Sequence, residues 1–247
     1  MQKLKCTVSY DGTFFSGFQI QPNKRTVQQE IENAIMQIHN GEKIRIYSSG
    51  RTDTGVHARG QVFHFETNLT IPESNWKKAF NAILPNDIYM KQVERVPMSF
   101  HARFDATQKE YRYFVLNSKE PDVFKRNLTH HDPWENDIDA ILVACEAFKG
   151  THDFTSFCSA RTTVKGSKVR TLSEVSCKRE GNELQFILKG DGFLYNMARI
   201  IVGVLLEAGK GNLTTADIED MFQKKDRTVV GKTLPPTGLF LWEVSYK

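Results

Sequence analysis

Alternation of apolar and polar residues at the start of the chain predicts a strand. The apolar positions are Leu4, Cys6, Val8 and Tyr10. A period of two is typical of a strand with one buried face, and Asp11-Gly12-Thr13 ends it. Similar patterns predict further strands over residues 43–47, 61–67, 111–116, 172–178, 184–189 and 239–246.

Apolar residues at helical spacing predict several helices. In the first, apolar side chains recur from Val27 to Ile38, and Asn40-Gly41 supplies a stop. Thr26, with Gln29 three residues later, is typical of a capping box. Further helices are predicted over residues 73–84, 138–149, 193–208 and 216–223.

The helices are too few for a regular alternation of strand and helix along a parallel sheet. This favours the α+β class, with mainly antiparallel sheets and helices packed on one side. The order strand–helix–strand–strand–helix is that of a split βαβ unit used twice. We place the seam within residues 100–108 and predict an N-terminal half over residues 1–105 and a C-terminal half over residues 106–247.

The net charge and the cysteine content of the chain indicate what kind of partner it can bind and in which cellular compartment it works. The 247 residues carry a formal net charge of +4, so a surface for nucleic acid must be a local patch. The four cysteines contain no C-x-x-C pair, which fits neither zinc nor a disulfide framework and favours reduced thiols in a cytoplasmic protein. The first ten residues lack a signal-peptide core, and the apolar run 200–206 is too short to span a bilayer.

Residues 48–61 hold the most informative group of residue types in the chain. Asp53 stands between two threonines, near Gly50, Gly55 and Arg51. Arginine keeps a carboxylate ionised and binds phosphate through a planar set of donors. Two interpretations stay open, because aspartate often caps a turn in such a context, whereas an ionised carboxylate in a phosphate-binding pocket acts as a nucleophile.

Arg199 lies within residues 193–206, which are apolar on nearly every face and therefore predict a buried helix. A guanidinium there needs an anionic partner, because an unpaired buried charge is costly. Asp53 is the best candidate partner. The alternative is that Arg199 extends to the surface.

Tyr111 precedes Arg112, and an aromatic ring beside a basic residue suits base stacking. The simpler interpretation is that Tyr111 belongs to one face of an ordinary strand. Residues 161–170 contain four basic residues and no acid, which is typical of a loop that follows a phosphate backbone.

Motifs of other site classes are missing from the sequence. The chain has no GxGxxG, P-loop or GxSxG motif, so a nucleotide cofactor is unsupported. No pair of its seven histidines has the context of a metal site. We interpret His57 as a residue that orders its loop.

Five motifs follow one another along nearly the whole chain. They are Tyr10-Asp11-Gly12-Thr13-x-Phe15-x-Gly17-Phe18-Gln19, Gly50-Arg51-Thr52-Asp53-Thr54-Gly55-Val56-His57-Ala58, His101-Ala102-Arg103-Phe104-Asp105-Ala106 with Tyr111-Arg112-Tyr113, Gly150-Thr151-His152-Asp153-Phe154-x-x-Phe157, and Phe193-Leu194-Tyr195-Asn196-Met197-x-Arg199. Together they resemble the motifs of the tRNA pseudouridine synthase A family. Two places depart from the family pattern, and both departures affect packing. Ala198 stands in place of the usual valine, and residues 233–239 keep only part of the usual motif.

The resemblance implies an isomerase that converts uridine to pseudouridine at nucleotides 38 to 40 of the tRNA anticodon stem-loop. It implies Asp53 as nucleophile, Arg199 as its ion-pair partner, Tyr111 against the target base, and Arg51 in extruding the nucleotide. It further implies a homodimer without metal or cofactor. The implied fold has two α/β halves around one continuous sheet, with the active-site cleft between them.

Two other function classes stay open from the residues alone. A non-catalytic RNA-binding module would use the same basic loops and aromatic residues. A nucleic-acid N-glycosylase would use a second carboxylate, for which Asp11 and Asp191 are candidates. Both aspartates are better explained as turn or helix-start residues.

Overall fold

The computed structural model describes residues 1–159 and 166–247, which form two compact units. The first unit contains Met1–Thr107 and Phe240–Lys247, and the second contains Gln108–Leu239. The predicted halves, residues 1–105 and 106–247, stay a prediction. The last strand of the chain pairs with a strand of the first unit.

The first unit is a sheet with two helices. Its elements are β1 (Gln2–Tyr10), α1 (Val27–Ile38), β2 (Tyr47–Ser48), β3 (His57–Thr67), α2 (Glu73–Ile83), β4 (Ile88–Val96) and β10 (Leu239–Tyr246). β1 lies between β3 and β4 and is antiparallel to both. β10 runs parallel to β3, and β2 pairs with β3 on a short antiparallel register.

The two faces of β3 are covered differently. Phe65 packs on α2, with ring centroids 5.7 Å from Trp76 and 6.1 Å from Phe80. His64, the preceding residue, points to the other face, because successive side chains of a strand alternate. There it stacks on Tyr47 of β2 at 5.2 Å. α2 therefore covers one face of β3, and His64 lies on the opposite face beside Tyr47 of the neighbouring strand β2.

The second unit is also a sheet with helices. Its elements are β5 (Ala106–Asn117), β6 (His130–Asp132), α3 (Ile138–Glu146), β7 (Gly150–Asp153), β8 (Val169–Glu180), β9 (Glu183–Gly190), α4 (Met197–Gly209) and α5 (Thr215–Lys224). The strand order is β5-β9-β8-β7, antiparallel throughout, with β6 parallel to β5. Nearly every residue of α4 is buried, as its sequence predicts.

The α+β class and the mainly antiparallel pairing are confirmed. How the two halves are joined stays a prediction. Within the described residues, no helix is long and apolar enough to cross a membrane.

Three local predictions are wrong. Only Tyr47 of residues 43–47 lies in a strand, and the Ile46 N–H donates to the Glu32 carboxylate at 3.1 Å instead of to a neighbouring strand. No capping box forms, because Thr26 Oγ1 is buried without a hydrogen-bond partner among the described residues. α4 begins at Met197 rather than at residue 193, because Asn196 has a left-handed backbone with φ of 61°.

Candidate active site

The chain between β2 and β3 forms a loop over residues 49–56, and this loop carries Arg51 and Asp53. Its N-terminal end is fixed by the side chain of Gln61 on β3. The Ser49 hydroxyl donates to Gln61 Oε1 at 2.7 Å, and Gln61 Nε2 donates to the Gly50 carbonyl at 2.9 Å. A strand residue therefore holds the segment that leads into Asp53.

The middle of the loop is held from the other side by Thr52. Its hydroxyl lies 2.8 Å from the Tyr10 hydroxyl in a buried contact, and its carbonyl accepts from the Phe18 N–H at 3.0 Å. Gly17 allows this approach, since a Cβ atom there would lie 2.9 Å from the Thr52 oxygen and its φ is +87°. The opening motif of the sequence thus supports the loop of the second motif.

Asp53 is half-buried, and its main-chain carbonyl accepts from the Val56 N–H at 3.1 Å, which closes the turn. Arg51 is exposed. The guanidinium makes no hydrogen bond or ion pair with the rest of the described chain, so its donors can bind a phosphate.

His57 orders the loop, as the sequence predicts. The ring is buried and stacks on Phe240 with centroids 4.5 Å apart. The Gly12 N–H lies 3.0 Å from Nδ1, and an Asp11 carboxylate oxygen lies 3.1 Å from the same nitrogen. Because Asp11 already accepts from the N–H and hydroxyl of Thr13, we assign the Nδ1 hydrogen bond to Gly12. Asp11 is thus the predicted turn residue.

Asp191 does not begin a helix, which corrects one of its two predicted roles and leaves that of a turn residue. It follows β9, and its carboxylate accepts from the Thr171 N–H at 3.1 Å. The residue therefore caps the end of the β8–β9 pair.

Arg199 lies on α4 of the second unit and is half-buried. Its Nε donates to the Leu234 carbonyl at 2.6 Å, and its Nη1 donates to Asn196 Oδ1 at 2.9 Å. These two neutral oxygens fix the plane of the guanidinium without cancelling its charge. The left-handed backbone of Asn196 places that side chain beside the first turn of α4.

Tyr111 lies on β5, opposite Leu188 of β9, and is 9% exposed. The ring meets Phe193 edge to face at 4.8 Å. Tyr113, two residues further on the same face, is buried, and burial raises the pKa of its hydroxyl well above the usual range. The Tyr113 hydroxyl donates to the Pro235 carbonyl at 2.8 Å.

Residues 234 and 235 were missed as site residues by the sequence analysis. Their carbonyls hold Arg199 and Tyr113, respectively. Residues 233–239 stood out in the sequence as a partly kept family motif. Their contacts could not be predicted from it, because main-chain carbonyls make these contacts and every residue type has a carbonyl.

The structure assigns Asp53 and Arg51 to the first unit and Tyr111 and Arg199 to the second. The joint action of Asp53 and Arg199 therefore stays a prediction. Of the basic run 161–170, residues 161–165 lie outside the described residues. Arg170 is the second residue of β8, and its guanidinium donates to the carbonyls of Ser167 and Val169.

No group of three or more His, Cys, Asp or Glu side chains with metal-binding geometry occurs in the part of the chain that the structure describes. All four cysteines are buried and form no disulfide. Burial raises the pKa of Cys145 and of Cys177 to about 12, so both thiols stay protonated at neutral pH.

Comparison with known proteins decides the family. A family model described as tRNA pseudouridine synthase matches residues 7–105 and 144–247. The chain belongs to this family. A relative from Oceanobacillus iheyensis, named tRNA pseudouridine synthase A, is 53% identical over 247 residues, which is 100% of this chain and 98% of the relative. Family members of the same name from Anoxybacillus flavithermus and Bacillus subtilis are 53% and 50% identical, each over 99% of its own length.

Proposed function

We propose that this protein is an isomerase that converts uridine to pseudouridine in tRNA. The observation that carries the proposal is the Asp53 loop, which is held at both ends by buried side chains and matches the family signature. The relatives of this chain are about half identical along their whole length and are named tRNA pseudouridine synthase A. We assign the reaction to nucleotides 38 to 40 of the anticodon stem-loop, in keeping with the resemblance.

Access to the target requires the uridine to leave its stack, at a cost of a few kcal/mol. Arg51 is suited to this step, because its exposed guanidinium can bind a phosphate and take the vacated space. The Asp53 carboxylate then acts on the extruded nucleotide. It attacks the uracil ring, attacks the anomeric carbon, or promotes elimination at the sugar.

Each of these routes balances as an isomerisation. The bond from uracil N1 to the ribose breaks, the base turns, and C5 bonds to the same ribose carbon. The proton at C5 leaves, and N1 gains one. No hydrolytic water and no redox partner enter the balance, so the chain's own side chains suffice.

Arg199 supports the nucleophile in this proposal. Hydrogen bonds to Leu234 and Asn196 fix the orientation of its guanidinium. In the proposal, this positive charge keeps Asp53 ionised. Tyr111, fixed by Phe193, supplies an aromatic ring against the detached base.

The partner is a tRNA, and we propose a cytoplasmic homodimer in keeping with the resemblance. A tRNA transcript labelled with tritium at uracil C5 tests the reaction. The proposal predicts release of tritium without free uracil. Free uracil would indicate a glycosylase, and the absence of both products under conditions where the tRNA binds would indicate a binding module.

A further inference from the structure

Four neighbouring rings and two arginines form a patch in the first unit that the proposed reaction does not use. We call it the arginine–aromatic patch, and its members are Arg45, Tyr47, His64, His101, Arg103 and Phe104. Phe104 is 75% exposed and Tyr47 is 47% exposed. Large apolar side chains that cluster in water mark a binding surface rather than a chance exposure.

The rings form a continuous series. Tyr47 stacks on His64 with centroids 5.2 Å apart and planes at 19°. His64 meets His101 at 4.8 Å, and His101 meets Phe104 at 4.2 Å. The exposed rings at the two ends of the series, Tyr47 and Phe104, are therefore joined through the two histidines.

Hydrogen bonds fix the segment that presents these rings. The Ala102 N–H donates to His64 Nδ1 at 3.1 Å, and the Ala102 carbonyl accepts from the Tyr246 hydroxyl at 2.7 Å. The Asp105 carboxylate accepts from the His101 N–H at 2.8 Å. The patch is thus preorganised, and binding to it immobilises few groups.

The charge of the patch comes from its arginines. Burial lowers the pKa of His64 to about 4, so this ring is neutral at pH 7. The guanidinium carbons of Arg45 and Arg103 lie 5.7 Å and 5.9 Å from the rings of Tyr47 and Phe104. Exposed rings flanked by guanidinium groups are the arrangement that binds single-stranded nucleic acid, since bases stack on the rings and phosphates contact the arginines.

The patch is close to the Asp53 loop along the chain. Tyr47 lies six residues before Asp53, and six extended residues span at most about 20 Å. At about 3.4 Å for each stacked nucleotide, this distance corresponds to about six nucleotides. One RNA molecule can therefore reach both places.

We propose that the arginine–aromatic patch stacks an unpaired base of the tRNA substrate, other than the uridine that is converted, while its arginines contact flanking phosphates. This inference rests on the proposed function, because it takes the occupant to be the RNA held at the Asp53 loop. A second copy of this chain is the alternative occupant, and the test below separates the two.

The test measures binding of an unmodified tRNA transcript by full-length protein carrying Asp53→Asn, so that the RNA stays unconverted. The double change Tyr47→Leu with Phe104→Leu keeps apolar volume but removes both exposed rings. We expect the dissociation constant to rise about tenfold. Tyr47→Phe with Phe104→Tyr keeps the rings and should bind as tightly as the parent.

Tyr89→Leu is the matched control within the same unit. Tyr89 is 52% exposed and has Lys77 5.6 Å from its ring, but it has no place in the ring series. Its removal should leave binding unchanged. Equal loss in Tyr89→Leu, or parental binding by the double leucine variant, would overturn the proposal.

Sedimentation of the same variants measures their oligomeric state and so tests whether a second copy of the chain, rather than RNA, occupies the patch. A changed mass for the double leucine variant would show that the patch joins two copies of the chain, and the RNA proposal would then be wrong. Wild-type activity is measured in parallel. If the wild type forms no pseudouridine while the binding series behaves as expected, the proposed reaction fails and the RNA contact stands.

Discussion

Gly12 and His57 fix each other at the point where the Asp53 loop enters β3. The Gly12 N–H donates to Nδ1 of the buried His57 ring at 3.0 Å. A Cβ atom at Gly12 would clash with the carbonyl oxygen of Val56, the neighbour of His57. The turn after β1 and the end of the loop therefore fit together only when residue 12 has no side chain.

Gly12→Ala should displace the loop. Because the new methyl group meets main-chain atoms, we expect a loss of about 1–3 kcal/mol in the free energy of unfolding. Displacement of Asp53 by about 1 Å should lower the rate of pseudouridine formation by about a hundredfold. Denaturant unfolding and the tritium-release assay measure the two effects.

Gly231→Ala is the control for this change. A Cβ atom at Gly231 meets nothing within 4 Å, so stability and activity should stay at wild-type values. Full activity of Gly12→Ala would show that the close contact with Val56 does not position the loop.

Arg199→Leu tests the electrostatic role that we propose for the guanidinium. Loss of a neighbouring positive charge makes an ionised carboxylate less favourable, so the acidic limb of the pH–rate profile should move up by about one unit or more. Arg199→Lys keeps the charge but loses the planar contacts with Leu234 and Asn196, and should retain the position of that limb with a reduced rate. An unchanged profile in Arg199→Leu would count against the ion pair, whereas a uniformly lower rate would indicate a structural role only.

His64 should make the stability of the protein depend on pH. Its side chain is 3% exposed, and burial lowers its pKa from 6.5 to about 4. As the pH falls below 6.5, the unfolded chain binds a proton that the folded chain excludes. The free energy of unfolding should therefore fall between pH 6.5 and pH 4, by up to about 3 kcal/mol.

His64→Gln isolates this effect, since the glutamine oxygen can still accept from the Ala102 N–H but does not titrate. Urea unfolding at several pH values compares the two proteins. If the wild type and His64→Gln lose stability in parallel over this range, the titration belongs to other groups.

The elements most fully predicted from the sequence are those whose pattern is local. β1, α2 and β10 match the predicted ranges within two residues, because their burial follows periodicity along the chain. β4 was missed, because its pattern is interrupted where its pairing with β1 shifts between Thr7 and Val8. Periodicity does not show which strands become neighbours, so the placement of β10 beside β3 was not predicted.

The candidate site was predictable as far as it consists of recognisable side chains. Asp53, Arg51, Tyr111 and Arg199 were named from the sequence, and their roles stay predictions. The carbonyls of Leu234 and Pro235 were not predicted, because every residue has a carbonyl and only the fold decides where it points. The same holds for Gln61, whose amide fixes the start of the loop through main-chain and hydroxyl contacts.

Asp53→Asn tests the central claim most directly. The asparagine keeps the size and the hydrogen-bonding capacity of the side chain but removes the charge and the nucleophile. Single-turnover tritium release from labelled tRNA, with binding measured on the same preparation, should show tRNA affinity like that of the wild type and no detectable pseudouridine. Pseudouridine formation at a rate near that of the wild type would contradict the account.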